Sequence, residues 1–173
     1  MHGIAVALLT EDREHLSAIQ TRLEATRLGR AVFTNVGFPL GPTDVILRQL
    51  QESRAEIVII DIPTYDAERA IRTIELIRAT TQQIGIFANG ELTKPANIVA
   101  SMRAGAVEYV DDSAGSDALL EALTRFSSTR TRTPGTGGKA RVFTFLSAKG
   151  GSGCTTTAVN TAIALQQLSL IHI

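Results

Sequence analysis

Residues 56–61 read EIVIID, and this hexapeptide decides the fold. Ile57, Val58, Ile59 and Ile60 are all β-branched, which favours an extended chain over a helix. The run has no polar alternation, so it suits a strand covered on both faces. Such a strand belongs inside a parallel sheet, and it ends in an acid, Asp61.

The same pattern recurs on either side. Gly3–Leu9 (GIAVALL), Ala31–Val36, Ile84–Ala88 (IGIFA) and Ala106–Val110 are short apolar runs fit for strands. Between them lie stretches with apolar residues at helical spacing. Leu16, Ile19 and Leu23 mark Glu14–Ala25, and Val45, Ile46, Leu47 and Leu50 mark a second helix after Pro42-Thr43. Ile71, Ile74 and Ile77 mark Ala67–Thr80, followed by helices over Pro95–Arg103 and Asp117–Phe126. Strands alternating with helices predict an α/β domain over residues 1–126, with an open parallel sheet covered on both faces. For this length the flavodoxin-like strand order 2-1-3-4-5 is expected. In that order the carboxyl ends of the first and third strands line the ligand crevice, gathering Thr10, Glu11, Asp12 and Asp61.

Composition excludes several classes. The single cysteine among 173 residues rules out an internal disulfide scaffold. No run of ~18 uncharged apolar residues predicts a membrane span. Gly3–Leu9 is too short and lacks the basic flank of a signal peptide, so a cytoplasmic location is expected. The 17 basic and 17 acidic residues are unevenly placed: every acid lies at or before Glu121. Ser127–Ala140 (SSTRTRTPGTGGKA) reads as a flexible basic linker. Its Arg130, Arg132 and Lys139, with Arg141 just beyond, lack interleaved aromatics, and no nucleic-acid partner is expected.

After the linker, Arg141–Ser147 (RVFTFLS) is expected to be a strand, Ala148–Thr156 (AKGGSGCTT) a glycine-rich loop, and Thr157–Gln167 a helix. Strand, glycine loop and helix are the context of a phosphate-binding loop, in which backbone N–H groups and the helix N-terminus face an anion. The strict pattern G-x-x-x-x-G-K-[ST] fails at Ala148 and Cys154.

Two resemblances give these features meaning. Asp61 at the end of the third strand, the acids after the first, and GAVEYV at Gly105–Val110 resemble a response-regulator receiver domain. The resemblance implies Asp61 as phosphoacceptor, with Mg²⁺ held by Glu11, Asp12 and Asp61. Three positions depart from the family. Thr10 stands where the first acid of the pair is expected, Ala88 where strand four carries Ser or Thr, and Asp112 in place of a lysine. A carboxylate there repels the charge a lysine would stabilise. The expectation is therefore a pseudo-receiver, in which Asp61 is either an acceptor or a strand-end acid capping the loop at Thr64–Asp66. Lys149-Gly150-Gly151-Ser152-Gly153 is similar to the deviant loop of MinD/ParA-class ATPases, and KGG-x-G with Thr-Thr after an atypical receiver resembles the CpaE/TadZ pilus assembly branch. That resemblance implies ATP and Mg²⁺. Lys149 would neutralise phosphate, Gly150, Gly151, Ser152 and Gly153 would cradle it, Thr155 would ligand Mg²⁺, and Thr156 would support the α-phosphate. Cys154 is either a small packing residue or, at a helix start, a thiol of lowered pKa.

The nucleotide-binding half is expected to be incomplete. No acid follows Glu121, and one strand with one helix cannot build a core. Residues 141–167 are thus expected to open a truncated P-loop NTPase domain with little nucleotide affinity and no catalytic residues of its own. One back-translation of Leu168–Ile173 (LSLIHI) matches the end of a common transposon-based sequencing adapter, so native sequence is expected to stop near Gln167. The leading function is an ATP-binding pilus or secretion-machinery assembly and localisation protein, homodimeric at full length and partnered by other assembly proteins. A phosphorylatable receiver signalling through Asp61 and a pure interaction domain are the alternatives. Membrane association is left open.

Overall fold

The computed structural model describes residues 3–81, 83–132, 144–147, 149–151 and 153–167. The chain divides into two units, Met1–Pro134 and Gly135–Ile173. In the first, β1 (Ile4–Thr10), β2 (Gly29–Val36), β3 (Ile57–Asp61), β4 (Gly85–Gly90) and β5 (Glu108–Asp111) alternate with α1 (Arg13–Thr26), α2 (Val45–Glu52), α3 (Glu68–Thr80), α4 (Pro95–Ala104) and α5 (Gly115–Arg132). All strand pairings are parallel and the order is β2-β1-β3-β4-β5, the flavodoxin-like arrangement.

The apolar runs explain the layers. All five residues of β3 are buried, because alternate side chains enter opposite cores. Val58 and Ile60 join Ala7, Leu9, Ile86 and Ala88 under α2 and α3, with Leu47, Leu50, Ile74 and Ile77. Ile57 and Ile59 join Val6, Leu8 and Phe87 under α1 and α5, with Ile19, Leu23, Leu119 and Leu123. Each such aliphatic side chain contributes roughly 1.5–3 kcal/mol on burial. Phe126 closes the second core with its ring edge-on to Phe87, centroids 5.8 Å apart. This approach requires Gly85, where a Cβ would stand 2.5 Å from Phe126 Cε2.

The first part of the segment expected as linker is helical. α5 runs on through Arg132, so Ser127–Arg132 is helical. The hydroxyls there bond to the preceding turn: Ser127 Oγ donates to the Thr124 carbonyl at 2.8 Å, Ser128 Oγ to the Arg125 carbonyl at 2.8 Å, and Thr129 Oγ1 to the same carbonyl at 2.9 Å. Satisfied internally, they do not compete with the helix. Residues 133–140 lie outside the described residues.

In the second unit α6 spans Cys154–Gln167, starting three residues before the expected helix. The expected strand over Arg141–Ser147 is not formed in its described part. Thr144–Ser147 is exposed and outside regular structure, and Arg141–Phe143 lies outside the described residues. A strand needs a partner for its ladder, and the described residues of this unit contain no other strand. The tail Leu168–Ile173 also lies outside them. Among the described residues no helix is long and apolar enough to cross a membrane.

Candidate functional site

The parallel strands all deliver their carboxyl ends to one edge of the sheet. There Thr10 ends β1, Asp61 ends β3, Asn89 is its register partner on β4, and Asp112 follows β5. Asp61 is 4% exposed, and a buried carboxylate requires donors. Thr10 Oγ1 donates to Asp61 Oδ2 at 2.8 Å, His15 Nδ1 lies 3.1 Å from the same oxygen, and Asn89 Nδ2 donates to Oδ1 at 3.3 Å. The Asn89 amide also donates to Asp112 Oδ1 at 2.9 Å, so one side chain bridges two carboxylates.

A cation arrives from α1. Arg22 Nη1 donates to the Asp112 carbonyl at 2.9 Å, while Nη2 donates to Asp112 Oδ1 and, at 3.3 Å, to Asn89 Oδ1. His15 and Arg22 are two helical turns apart, which sets both on the face of α1 that overlooks the crevice. The helix is aimed by Asp12, whose Oδ1 caps its first turn by accepting from the Glu14 and His15 amides at 2.7 and 3.3 Å. A cap of this kind is worth ~0.5–2 kcal/mol.

The charges are mutually compensating. Burial lowers the His15 pKa, but the hydrogen bond to Asp61 and the charges of Asp61, Asp112 and Asp12 outweigh it and raise it above 6.5. Burial likewise raises Asp112, yet the Asn89 hydrogen bond, the Arg22 charge and hydrogen bond, and the His15 charge hold it below the usual carboxylate range. Tyr109, desolvated and close to the charges of Asp61, Asp111, Glu91 and Asp112, is pushed up to about 12 and stays a neutral phenol. Both oxygens of Asp61 thus have partners within the protein.

The residues singled out from the sequence meet different fates. Glu11 pairs with Arg69 of α3 and Asp12 is the cap, so the structure does not bring Glu11, Asp12 and Asp61 together. Among the described residues no group of three or more His, Cys, Asp or Glu side chains could hold a metal ion. The strand-four residue beside Asp61 is Asn89 rather than Ala88, which pairs with Ile60 and is buried in the core under α3. Thr64–Asp66 donates no hydrogen bond to Asp61; its Thr64 carbonyl accepts from Lys94 Nζ at 2.6 Å. His15, Arg22 and Asn89 carry no sequence signal of a site, since each looks like an ordinary polar residue until the sheet order is known.

In the second unit Lys149, Gly150, Gly151 and Gly153 precede α6, with Cys154, Thr155 and Thr156 in its first turn. Gly151 and Gly153 adopt φ values of 79° and 75°, a conformation that favours glycine. The Thr157 amide donates to the Gly153 carbonyl at 2.9 Å, closing the first helical turn. Ser152 lies outside the described residues. The segment carries the Thr155 hydroxyl and contains no acid.

Comparison with solved structures places the first unit. A protein described as the pilus assembly protein CpaE, from Burkholderia thailandensis, superposes with a TM-score of 0.57 at 19% identity, covering 72% of this chain and 98% of that one. A response regulator from Thermotoga maritima gives 0.58 at 19% identity over 73% and 99% of the two chains. The first unit is a receiver-like domain. A pilus assembly-related protein from Burkholderia pseudomallei matches the receiver-like unit too, at 0.60 and 18% identity over 72% and 90%. No protein-family model matches the chain, and no curated protein does.

Proposed function

We propose that this chain comes from a cytoplasmic, ATP-binding assembly and localisation protein of the CpaE/TadZ pilus type. Its receiver-like unit serves as an interaction module, and nucleotide governs homodimerisation of the complete protein. One joint observation carries the reading. A receiver-like unit whose crevice is occupied by its own Arg22, Asn89 and His15 shares a chain with KGGSGCTT at the head of a helix. Two of the structures it resembles are themselves described as pilus assembly proteins. The nucleotide-binding set is Lys149, Gly150, Gly151, Ser152, Gly153, Cys154, Thr155 and Thr156. Lys149 meets phosphate charge, the glycines let backbone amides turn to it, and α6 presents its N-terminus.

The test uses the product of the complete gene and a fluorescent ATP analogue. Binding that falls at least about tenfold in Lys149→Ala is expected for a phosphate-contacting cation. No binding at millimolar nucleotide would end the proposal. Incubation with acetyl phosphate and Mg²⁺ addresses phosphoryl transfer. A stoichiometric acyl phosphate that disappears in Asp61→Asn would establish a signalling receiver instead, whereas no incorporation is expected.

A further inference from the structure

We propose that Tyr65, with the loops that follow β3 and β4, forms a docking site for an arginine-bearing segment of a partner protein. Tyr65 is 95% exposed, the most exposed large hydrophobic side chain among the described residues. A ring on a surface loop is ordinarily mobile. This one is held. Lys94, the residue before α4, sets its Nζ 4.6 Å from the ring centroid and donates to the Thr64 carbonyl at 2.6 Å, so it pins the loop after β3 from the side. Lys94 takes up little of the ring's surface, which leaves the opposite face open to solvent. A fixed aromatic face loses little further freedom when a partner covers it, and that is the property of an interface anchor. Leu92, on the same loop as Lys94 and 51% exposed, adds an aliphatic contact.

Charge selects the occupant. Asp66 and Glu68 follow the ring in the chain, and Glu91 opens the loop after β4. All three are exposed, and none has an ion-pair partner among the described residues. The neighbouring cations are engaged elsewhere, Lys94 with Thr64 and Tyr65, and Arg69 with Glu11. The surroundings of the ring are thus net negative. A guanidinium suits both features, because its plane stacks on an aromatic face while its edge donates to carboxylates. An anionic partner, whether nucleic acid or an acidic bilayer, meets repulsion from the same three acids. This site rests on the reading of the unit as an interaction module, and it gives that module a chemical preference.

The test titrates the isotope-labelled whole chain with a peptide of alternating arginine and leucine, without nucleotide, and follows backbone amide shifts. A failure here therefore leaves the Lys149→Ala experiment standing, and the reverse. Saturable shifts confined to residues 64–68 and 91–94 are expected, with a dissociation constant below about 1 mM. Tyr65→Ala should weaken binding at least about threefold, and Tyr65→Phe, which keeps the ring face, should stay within about twofold of the parent. Asp66→Asn and Glu91→Gln together should weaken it at least about threefold, whereas Glu52→Gln, at the opposite edge of the sheet where α2 ends, should not. Exchanging the peptide arginines for citrulline, which keeps their shape and removes their charge, should abolish binding. All the substituted side chains are exposed, and unmoved core amides verify the fold of each variant. Absence of saturation, parent-like binding by Tyr65→Ala, equal losses in Tyr65→Ala and Tyr65→Phe, an equal loss in Glu52→Gln, or undiminished binding of the citrulline peptide would each overturn the proposal.

Discussion

Replacing Arg22 by alanine isolates the cation that closes the crevice. The Arg22 side chain is 15% exposed and its partner Asp112 34%. Hydrogen bonds to charged groups contribute ~1.5–3 kcal/mol each, exposed ion pairs ~0–1, and breaking a fully buried pair costs ~3–5. Asp112 is wet enough for water to take over part of its solvation, which removes the upper range. The aliphatic stem of Arg22 also loses packing. The expected cost is about 2 kcal/mol, corresponding to a melting shift of roughly 6–10 °C for a unit of this size. Urea and thermal unfolding followed by far-UV circular dichroism measure it. A double-mutant cycle with Asp112→Asn should give a coupling of at least about 1 kcal/mol. Arg22→Lys should recover under half of the loss, because an ammonium cannot reach Asp112 and Asn89 with one planar fork. A loss below about 0.5 kcal/mol, or zero coupling, would mean that Arg22 is an ordinary solvated arginine.

Three further outcomes follow from particular contacts. The His15 pKa is raised, so its contribution is fully present below pH 6.5 and fades as pH rises through the higher folded-state value. The stability difference between the parent and His15→Gln should therefore shrink with increasing pH, as read from paired urea midpoints; a difference that grows would contradict the His15–Asp61 pairing. Ser101 Oγ is buried without a hydrogen-bond partner, so Ser101→Ala should stabilise the unit by about 1 kcal/mol, seen as a higher urea midpoint. Gly85→Ala sets a Cβ against the Phe126 ring and should cost about 1–3 kcal/mol; an unchanged melting temperature would show that the ring moves aside freely.

β1 and β3 were legible as compact apolar runs, and α1, α2 and α3 by their inward apolar stripes. Asp61 was legible as a strand-end acid, and Asp112 as the residue standing where the receiver family has a lysine. Their partners were not. Arg22 reaches Asp112 across 90 positions of sequence and Asn89 across 67, which depends on strand order and on the length of one flexible side chain. Ala88, singled out on strand four, pairs with Ile60, while Asn89, one residue on, pairs with Asp61, and in a strand one residue exchanges the two faces. The Ser- and Thr-rich end of α5 read as linker because those residues favour turns, and only their back-bonded hydroxyls reveal the helix. For Arg141–Ser147, composition suited a strand, but pairing is decided by a neighbour that an apolar run cannot supply by itself.

The crevice network also constrains which neighbouring sequences are reachable. A lysine introduced alone at position 112 would set its ammonium against the guanidinium of Arg22. Removing Arg22 alone strands Asp112 beside Asp61, and exchanging Asn89 alone deletes the amide that joins the two carboxylates. Each of these single changes leaves a charge or an amide without its present partner. The three side chains are coupled, so a change at any one of them is felt by the other two.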